Sequence, residues 1–467
     1  VILLQVKIEK LDHYGRGITK IENKICFVEG ALKDEVVEIE VIKEKKKYYL
    51  ATTKKVIEKS KDRITSNCPY YARCGGCNLD HISFEKEQEF KEEKVKEIMT
   101  KFAKISNDKI KPIIYDNPYH YRNKITLHKD DKKIGLYEKE SNTIIPITKC
   151  LLLNDKLNEI LKSIKPSNKK DIILKIGNKT DEILSPTAKK NYITSYIGNK
   201  KYKVSEKSFF QVNSIITEKL YDEIKEIIQE KNSKNVLDLY CGTGTIGIYI
   251  CESVNKVLGI ESCKEAIEDA NYNKELNNAT NCTYKLGKVE NLTKEITSEY
   301  DTAIIDPPRS GLDKKVIKKL LEIKPKTLIY VSCDPVTLAR DLNLLKEKYN
   351  IEYIRPYNMF PRTYHVETVC LLSKLHSDQH IEVEVKMDEL DLTAAESKAT
   401  YEEIKKYVLE HTGLKVSNLY IAQVKQKCGI IERVNYNLPK SENSRQPKCP
   451  PEKEKAIKEA LEYFRMI

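Results

Sequence analysis

Three short motifs place reactive side chains where apolar runs end. Cys333 lies in Ser332-Cys333-Asp334-Pro335, directly after the strand-like run Leu328-Ile329-Tyr330-Val331. Pro335 suits the first position of a helix, so the thiol is expected just before a helix N-terminus. The helix dipole favours a thiolate there, although Asp334 beside it opposes the charge. A lone cysteine is more often a buried apolar residue; this context argues instead for a nucleophile. The run Thr302-Ala303-Ile304-Ile305 ends in Asp306-Pro307-Pro308-Arg309, which offers a carboxylate on a stiffened backbone. Glu367, in Tyr364-His365-Val366-Glu367-Thr368-Val369, begins another strand-like run. Read alone it would be a surface glutamate on an edge strand; beside a nucleophile it is a candidate base.

A thiol and a carboxylate base together suit substitution at C5 of uracil. That carbon is a poor nucleophile. Addition of a thiolate at C6 turns the ring into an enolate whose C5 attacks an electrophilic methyl group. A base must then remove the C5 proton so that the thiol can leave.

The methyl donor has its own signature. Val236-Leu237-Asp238-Leu239-Tyr240 reads as a buried strand, followed by the glycine loop Cys241-Gly242-Thr243-Gly244-Thr245-Ile246-Gly247 and a helix. Glycines admit close approach of a ligand to the backbone, and a helix N-terminus favours an anionic group. The next strand, Lys256–Glu261, ends in an acid of the kind that binds ribose hydroxyls. The glycines alone also fit NAD; Asp238 ahead of them favours S-adenosylmethionine.

A chain of 467 residues must supply elements to hold these groups, and about three to four domains fit that length. Residues 1–56 alternate apolar and polar positions between glycine turns, as in Glu35–Val41, which predicts a small β-barrel. Residues 85–103 read as a charged helix, and residues 111–205 as short strands and turns. From about residue 206 strands alternate with helices, which predicts a parallel α/β sheet. Thr393-Ala394-Ala395-Glu396 reads as a capping box before a helix ending near Gly413. Pro450-Pro451 opens another helix to about Phe464, after a polar linker at 435–448. No internal repeat is present.

Hydrophobic residues make up 40% of the chain, enough for packed cores. No apolar run approaches the roughly 18 residues of a membrane span. The first ten residues do not read as a signal peptide. Thirteen scattered cysteines argue for a reducing, cytoplasmic setting and against a disulfide framework. Net charge is +12, and residues 111–205, with 20 basic and 10 acidic side chains, account for +10 of it. Aromatic residues interleave this excess at Tyr119-His120-Tyr121-Arg122-Asn123-Lys124. The pattern fits a polyanion, most simply nucleic acid; the plain alternative is a lysine-rich solvated face.

Taken together, Ser208-Phe209-Phe210-Gln211-Val212-Asn213, Asp238–Gly244, Asp306–Arg309, Ser332–Pro335 and His365-Val366-Glu367 resemble the RNA uracil-C5 methyltransferases of the RumA/TrmA type, in order and spacing, over roughly residues 1–375. The resemblance implies that Cys333 is the nucleophile and Glu367 the proton acceptor. It maps Gln211, Tyr240, Glu261 and Asp306 to the S-adenosylmethionine site. It likens residues 1–56 to a TRAM domain, an OB-like RNA-binding barrel.

Cys68-x5-Cys74-x2-Cys77 and the distant Cys150 have a pattern that on spacing alone suits zinc or an iron–sulfur cluster. The resemblance points to a [4Fe–4S] cluster with a structural role, since the chemistry moves no electrons. The implied architecture is a multidomain α/β protein: a TRAM-like barrel at 1–56, a central iron–sulfur domain with the basic segment at 57–205, a Rossmann-like methyltransferase domain at 206–375, and a helical extension at 376–467 without an assigned role. A barrel joined to a cysteine cluster resembles the ribosomal branch, so the expected partner is 23S rRNA and the expected state a monomer. Methylation of tRNA is the first alternative. An NAD oxidoreductase would leave Cys333 and Glu367 unexplained, and a non-catalytic iron–sulfur RNA-binding protein would leave all the strand-end groups unused.

Overall fold

The computed structural model describes residues 3–130, 133–164, 171–375, 401–428 and 449–463. Contacts divide the chain into two compact units, Val1–Gln379 and His380–Ile467.

Within the first unit, the strands Leu3–Lys7, Lys10–Leu11, Gly17–Ile21, Lys24–Glu29, Val36–Glu44 and Tyr48–Glu58 form one six-stranded sheet. Its pairs are antiparallel except for Lys24–Glu29 beside Tyr48–Glu58. Alternation sends Cys26, Val28, Val37, Ile39 and Ala51 to one buried side.

The helix Phe84–Ile98 follows, then a single π-helical turn, Met99–Ala103. Ser83 caps the helix, its side chain accepting from Lys86 N. The charge that marks this helix is not all solvated: Glu87 and Lys91 are fully buried. Beyond it lie a five-stranded antiparallel sheet, built from Lys124–Lys129, Ile134–Tyr137, Ile144–Pro146, Asp171–Ile176 and Ile183–Leu184, and the hairpin Tyr192–Ile197/Lys200–Ser205. Residues 111–205 also hold a helix, Asp155–Lys162, that the strand-and-turn expectation missed. Its Leu157 and Leu161 pack on the five-stranded sheet.

The third part is a seven-stranded sheet in the order Cys282–Leu286, Lys256–Glu261, Asn235–Leu239, Thr302–Ile305, Thr327–Ser332, Glu367–Lys374, Tyr349–Tyr357. The first five strands are parallel; Glu367–Lys374 runs antiparallel to both its neighbours, so Tyr349–Tyr357 points the same way as the first five. Runs such as Thr302–Ile305 and Thr327–Ser332 are buried at every residue, as sheets covered on both faces require. Strand order reverses beside Asn235–Leu239, so a ligand crevice is expected at the carboxyl ends there.

In the second unit, the helices Tyr401–Thr412, Asn418–Lys427 and Pro451–Tyr463 pack around Ile404, Val408, Ile421, Val424, Ile457 and Leu461. The first ends at Gly413, which takes a left-handed φ of 70°. The middle helix was not foreseen. The capping box at 393–396 and the linker at 435–448 lie outside the described residues.

Candidate active site

Strand register brings Cys333 and Glu367 together. Thr327–Ser332 pairs antiparallel with Glu367–Lys374, and Ser332 stands opposite Thr368. One step further along each chain, Cys333 faces Glu367, and opposed residues of an antiparallel pair project to the same side. Thr368 Oγ1 donates to Ser332 O at 3.0 Å and locks that end of the pairing. Glu367 is therefore not on an edge strand: its strand is flanked on both sides, and the residue is 3% exposed.

Asp306 ends the neighbouring parallel strand, and its N–H donates to Leu239 O at 3.2 Å. Burial, then the nearby charge of Asp238, pushes its carboxyl up. Burial, then Asp306, does the same to Glu367, while Arg309 pulls it back. Two buried acids near one another favour their neutral forms in the ligand-free protein.

The thiol does not behave as expected from its place before a helix. Asp334, not Cys333, caps the helix Pro335–Leu345, its carboxylate accepting from Val336 N at 2.8 Å and Thr337 N at 3.2 Å. Burial pushes the Cys333 thiol up to about 12, with Glu367 and Asp306 adding to the rise and Arg309 opposing it. The ligand-free protein therefore holds a thiol, and the helix terminus is already occupied by an anion.

The glycine loop forms the next part of the crevice. Tyr240 takes a left-handed φ of 66°, an uncommon conformation for a bulky residue. Its N–H donates to Ile260 O at 2.9 Å. Gly242 also has a left-handed φ, of 54°, and a Cβ built there would meet nothing within 4 Å; that position is open to a ligand. Glu261 spans the loop and its own strand end, accepting from Gly242 N at 3.2 Å and Cys263 N at 2.8 Å. Asp238 accepts from Gly247 N at 3.0 Å through one oxygen. Its carboxyl is pushed up to about 7 by burial.

Gln211 reaches this region on a braced loop. Buried Asp269 accepts from Ser205 N and Ser205 Oγ, both at 2.8 Å, and from Ser208 Oγ at 2.6 Å. Asn123 Nδ2 donates to Gln211 O at 2.9 Å. Gln211 Oε1, Asp238 Oδ1 and Thr243 Oγ1 are buried yet have no hydrogen-bond partner in the protein. Buried polar atoms are ordinarily paired, so these unpaired atoms, two of them in the glycine loop and the strand before it, fit a polar ligand such as S-adenosylmethionine. Phe209, two residues before Gln211, is 62% exposed. It belongs to the Ser208–Asn213 motif, and its exposure on a braced loop is not visible in the sequence.

The four cysteines of the central part line a single cavity of about 860 Å³, together with Arg122 and Lys124. Burial pushes the Cys77 thiol well up, and charge on Cys150, Cys74 or Cys68 would raise it further. Arg122 Nε is buried without a partner. Four thiols with a cation in the wall are a donor set suited to an anionic iron–sulfur cluster. Among the described residues, however, no group of three or more His, Cys, Asp or Glu side chains is arranged to hold a metal ion. The same cavity accounts for part of the basic segment. Arg122 and Lys124 face this cavity, and burial lowers the Lys124 ammonium. Tyr121 is half-buried, with its hydroxyl donating to Pro361 O at 3.2 Å; the Tyr119 hydroxyl donates to Asp80 Oδ1 at 3.0 Å. All four residues are half-buried and engaged with protein partners or the cavity wall.

Comparison with known proteins agrees with this geometry. The family model described as tRNA (uracil-5-)-methyltransferase matches residues 188–375, and that of the TRAM domain matches residues 3–53. A protein of Clostridium acetobutylicum described as an uncharacterized RNA methyltransferase is 33% identical over 445 residues, covering 79% of this chain and 97% of its own. One of Staphylococcus aureus with the same description is 32% identical, covering 78% and 96%. The solved structure of Pyrococcus abyssi tRNA (uracil-54, C5)-methyltransferase with S-adenosyl-L-homocysteine superposes with a TM-score of 0.65 at 25% identity, covering 79% of this chain and all of that one. No described helix is long and apolar enough to cross a membrane. Relatedness of this extent, on a sheet whose strand ends carry the matching motifs, places the chain in the family of S-adenosylmethionine-dependent RNA uracil-5-methyltransferases.

Proposed function

We propose that this protein methylates C5 of uridine in 23S rRNA through a covalent bond between Cys333 and uracil C6. The observation that supports the reading is the antiparallel pairing of Ser332 with Thr368, which makes Cys333 and Glu367 the next residues of adjoining strands, one strand away from Asp306. Gln211, Tyr240, Glu261 and Asp306 hold the cofactor, with Asp238 and Thr243 offering the remaining vacant acceptors. Bound S-adenosylmethionine supplies an electrophilic methyl group and a positive sulfonium.

The residues then divide the work. Cys333 gives up its proton to solvent and forms the S–C6 bond, and the ring electrons move toward C5 and O4. Arg309, which favours the ionised form of both Cys333 and Glu367, opposes the burial that keeps the thiol neutral. After C5 has gained its methyl, Glu367 takes the C5 proton as a carboxylate. The electron pair released re-forms the C5–C6 double bond, and the S–C6 bond breaks to return the Cys333 thiolate. Burial of Glu367 raises its basicity, which suits proton abstraction once the carboxyl is ionised.

The ribosomal target follows from the barrel joined to the cysteine cavity, which we assign to a structural [4Fe–4S] cluster on Cys68, Cys74, Cys77 and Cys150. A tRNA target is the second reading, favoured by the activity of the Pyrococcus protein. Nucleoside mapping of ribosomal and transfer RNA from a deletion strain decides between them. Loss of 5-methyluridine from 23S rRNA alone is expected; loss from tRNA alone selects the second reading, and no loss from either rejects both.

A further inference from the structure

The turn between the second and third strands of the barrel does more than connect them. Asp12 organises it, accepting from Tyr14 N at 2.9 Å and Arg16 N at 2.8 Å. The same carboxylate grips the Arg16 guanidinium, with Nε and Nη2 each at 2.7 Å. Gly15 has a left-handed φ of 78°, and a Cβ there would fall 2.5 Å from Leu79 Cδ2. The turn is thus pressed against the segment that follows Cys77, and its geometry is fixed.

What this fixed turn presents is an aromatic ring. Tyr14 is 56% exposed. Arg16 lies over its ring at 5.2 Å and also over Phe27 at 4.6 Å. Tyr364 meets Tyr14 in a T-shaped contact, with centroids 5.2 Å apart. Tyr364 in turn touches His365 at 4.2 Å, and His365 Nε2 lies 3.5 Å from Arg309 Nη2. Lys94 holds the Tyr364 carbonyl at 2.8 Å. A continuous row therefore runs from Tyr14 on the barrel to Arg309, whose charge acts on Cys333. The row is cationic beneath and aromatic above.

We infer that Tyr14 is a stacking platform for an unpaired nucleobase flanking the target uridine. This rests on the reading of the chain as acting on a uridine drawn into the crevice. Withdrawing one base from folded RNA leaves its neighbour without a stacking partner, and exposed aromatics supply such partners without regard to base identity. Arg16, held by Asp12 against the ring, strengthens the stack. The barrel thereby acts on the reaction itself, holding the strand open beside the crevice.

The test uses the full chain and a fluorescein-labelled twelve-nucleotide oligouridylate. Tyr14→Phe should bind within twofold of the unaltered protein. Tyr14→Ala and Tyr14→Leu should each bind about tenfold more weakly, the loss expected for one stacked base, with S-adenosylhomocysteine affinity and melting temperature unchanged. Leucine keeps apolar bulk against Tyr364 but lacks a flat π-face. Full binding by Tyr14→Leu would mean packing alone, and equal loss in Tyr14→Phe would mean a hydroxyl contact; either overturns the platform. So does binding by Tyr14→Ala within twofold of the unaltered protein, or an unaltered protein that ignores the oligonucleotide. Assay of 5-methyluridine formation by the unaltered protein, run in parallel, separates failure of the platform from failure of the methylation reading.

Discussion

Cys333 and Glu367 are assigned different moments of one reaction, and their surroundings give each assignment a measurable sign. The free thiol is pushed up to about 12, chiefly by burial and then by Glu367 and Asp306. Only the thiolate is nucleophilic, and well below the pKa its fraction grows tenfold per pH unit. Alkylation of Cys333 by iodoacetamide in the ligand-free protein, followed by peptide mass mapping, should therefore rise about tenfold per unit between pH 7 and 9. A rate flat across that range would mean a thiolate already present. Glu367→Gln keeps the shape and removes the base. It should leave bond formation to uracil intact and slow product release by roughly a hundredfold or more, so that methylated RNA–protein species accumulate on denaturing gels. Release at the unaltered rate would remove Glu367 from the base role. Both residues were legible in the sequence because each stands where an apolar run meets a turn. The state of the thiol was not, because it depends on Asp334 capping the helix and on two acids brought in from other strands.

Among the elements, the helix Phe84–Ile98 was read correctly as a helix and incompletely as a charged one. Glu87 and Lys91 stand four residues apart, a spacing that usually marks a solvated ion pair. Here they are fully buried and form an ion pair at 3.0 Å. Their partners come from a loop some 270 residues away, which local pattern cannot reveal. Asn358 Nδ2 donates to Glu87 at 2.9 Å, Arg362 N donates to the same carboxylate at 3.0 Å, and Lys91 Nζ donates to Phe360 O at 3.0 Å. Arg362, with a left-handed φ of 64°, accepts from Asn78 N and Leu79 N at 3.0 Å each. The helix and the cysteine segment thus jointly hold the loop that delivers Glu367. Lys91→Ala leaves buried Glu87 with only the Arg362 guanidinium, at 3.6 Å, and should lower stability by about 3 kcal/mol in urea unfolding. A loss below 1 kcal/mol would show that the network relaxes without its cation. The parallel strands were readable as buried apolar runs, whereas the helix Asp155–Lys162 was missed inside a segment whose charge drew attention to its surface.

At the scale of the whole molecule, the first unit carries a barrel, a cysteine cavity and a methyltransferase sheet. The basic excess of residues 111–205 suggested an RNA path through Arg122 and Lys124, but both line the cysteine cavity. Charge totals give no direction for the side chains of a segment. An anionic cluster would explain cations in that wall. Protein purified without oxygen should be brown and carry about four irons and four sulfides per chain; stoichiometric zinc without sulfide would reject the cluster. The central claim remains the covalent bond. Incubation of the protein with S-adenosylmethionine and RNA containing 5-fluorouridine, in which fluorine replaces the C5 proton, should trap a methylated adduct that survives denaturation. The account predicts that adduct for the unaltered protein and none for Cys333→Ala; an adduct that persists in Cys333→Ala would contradict it.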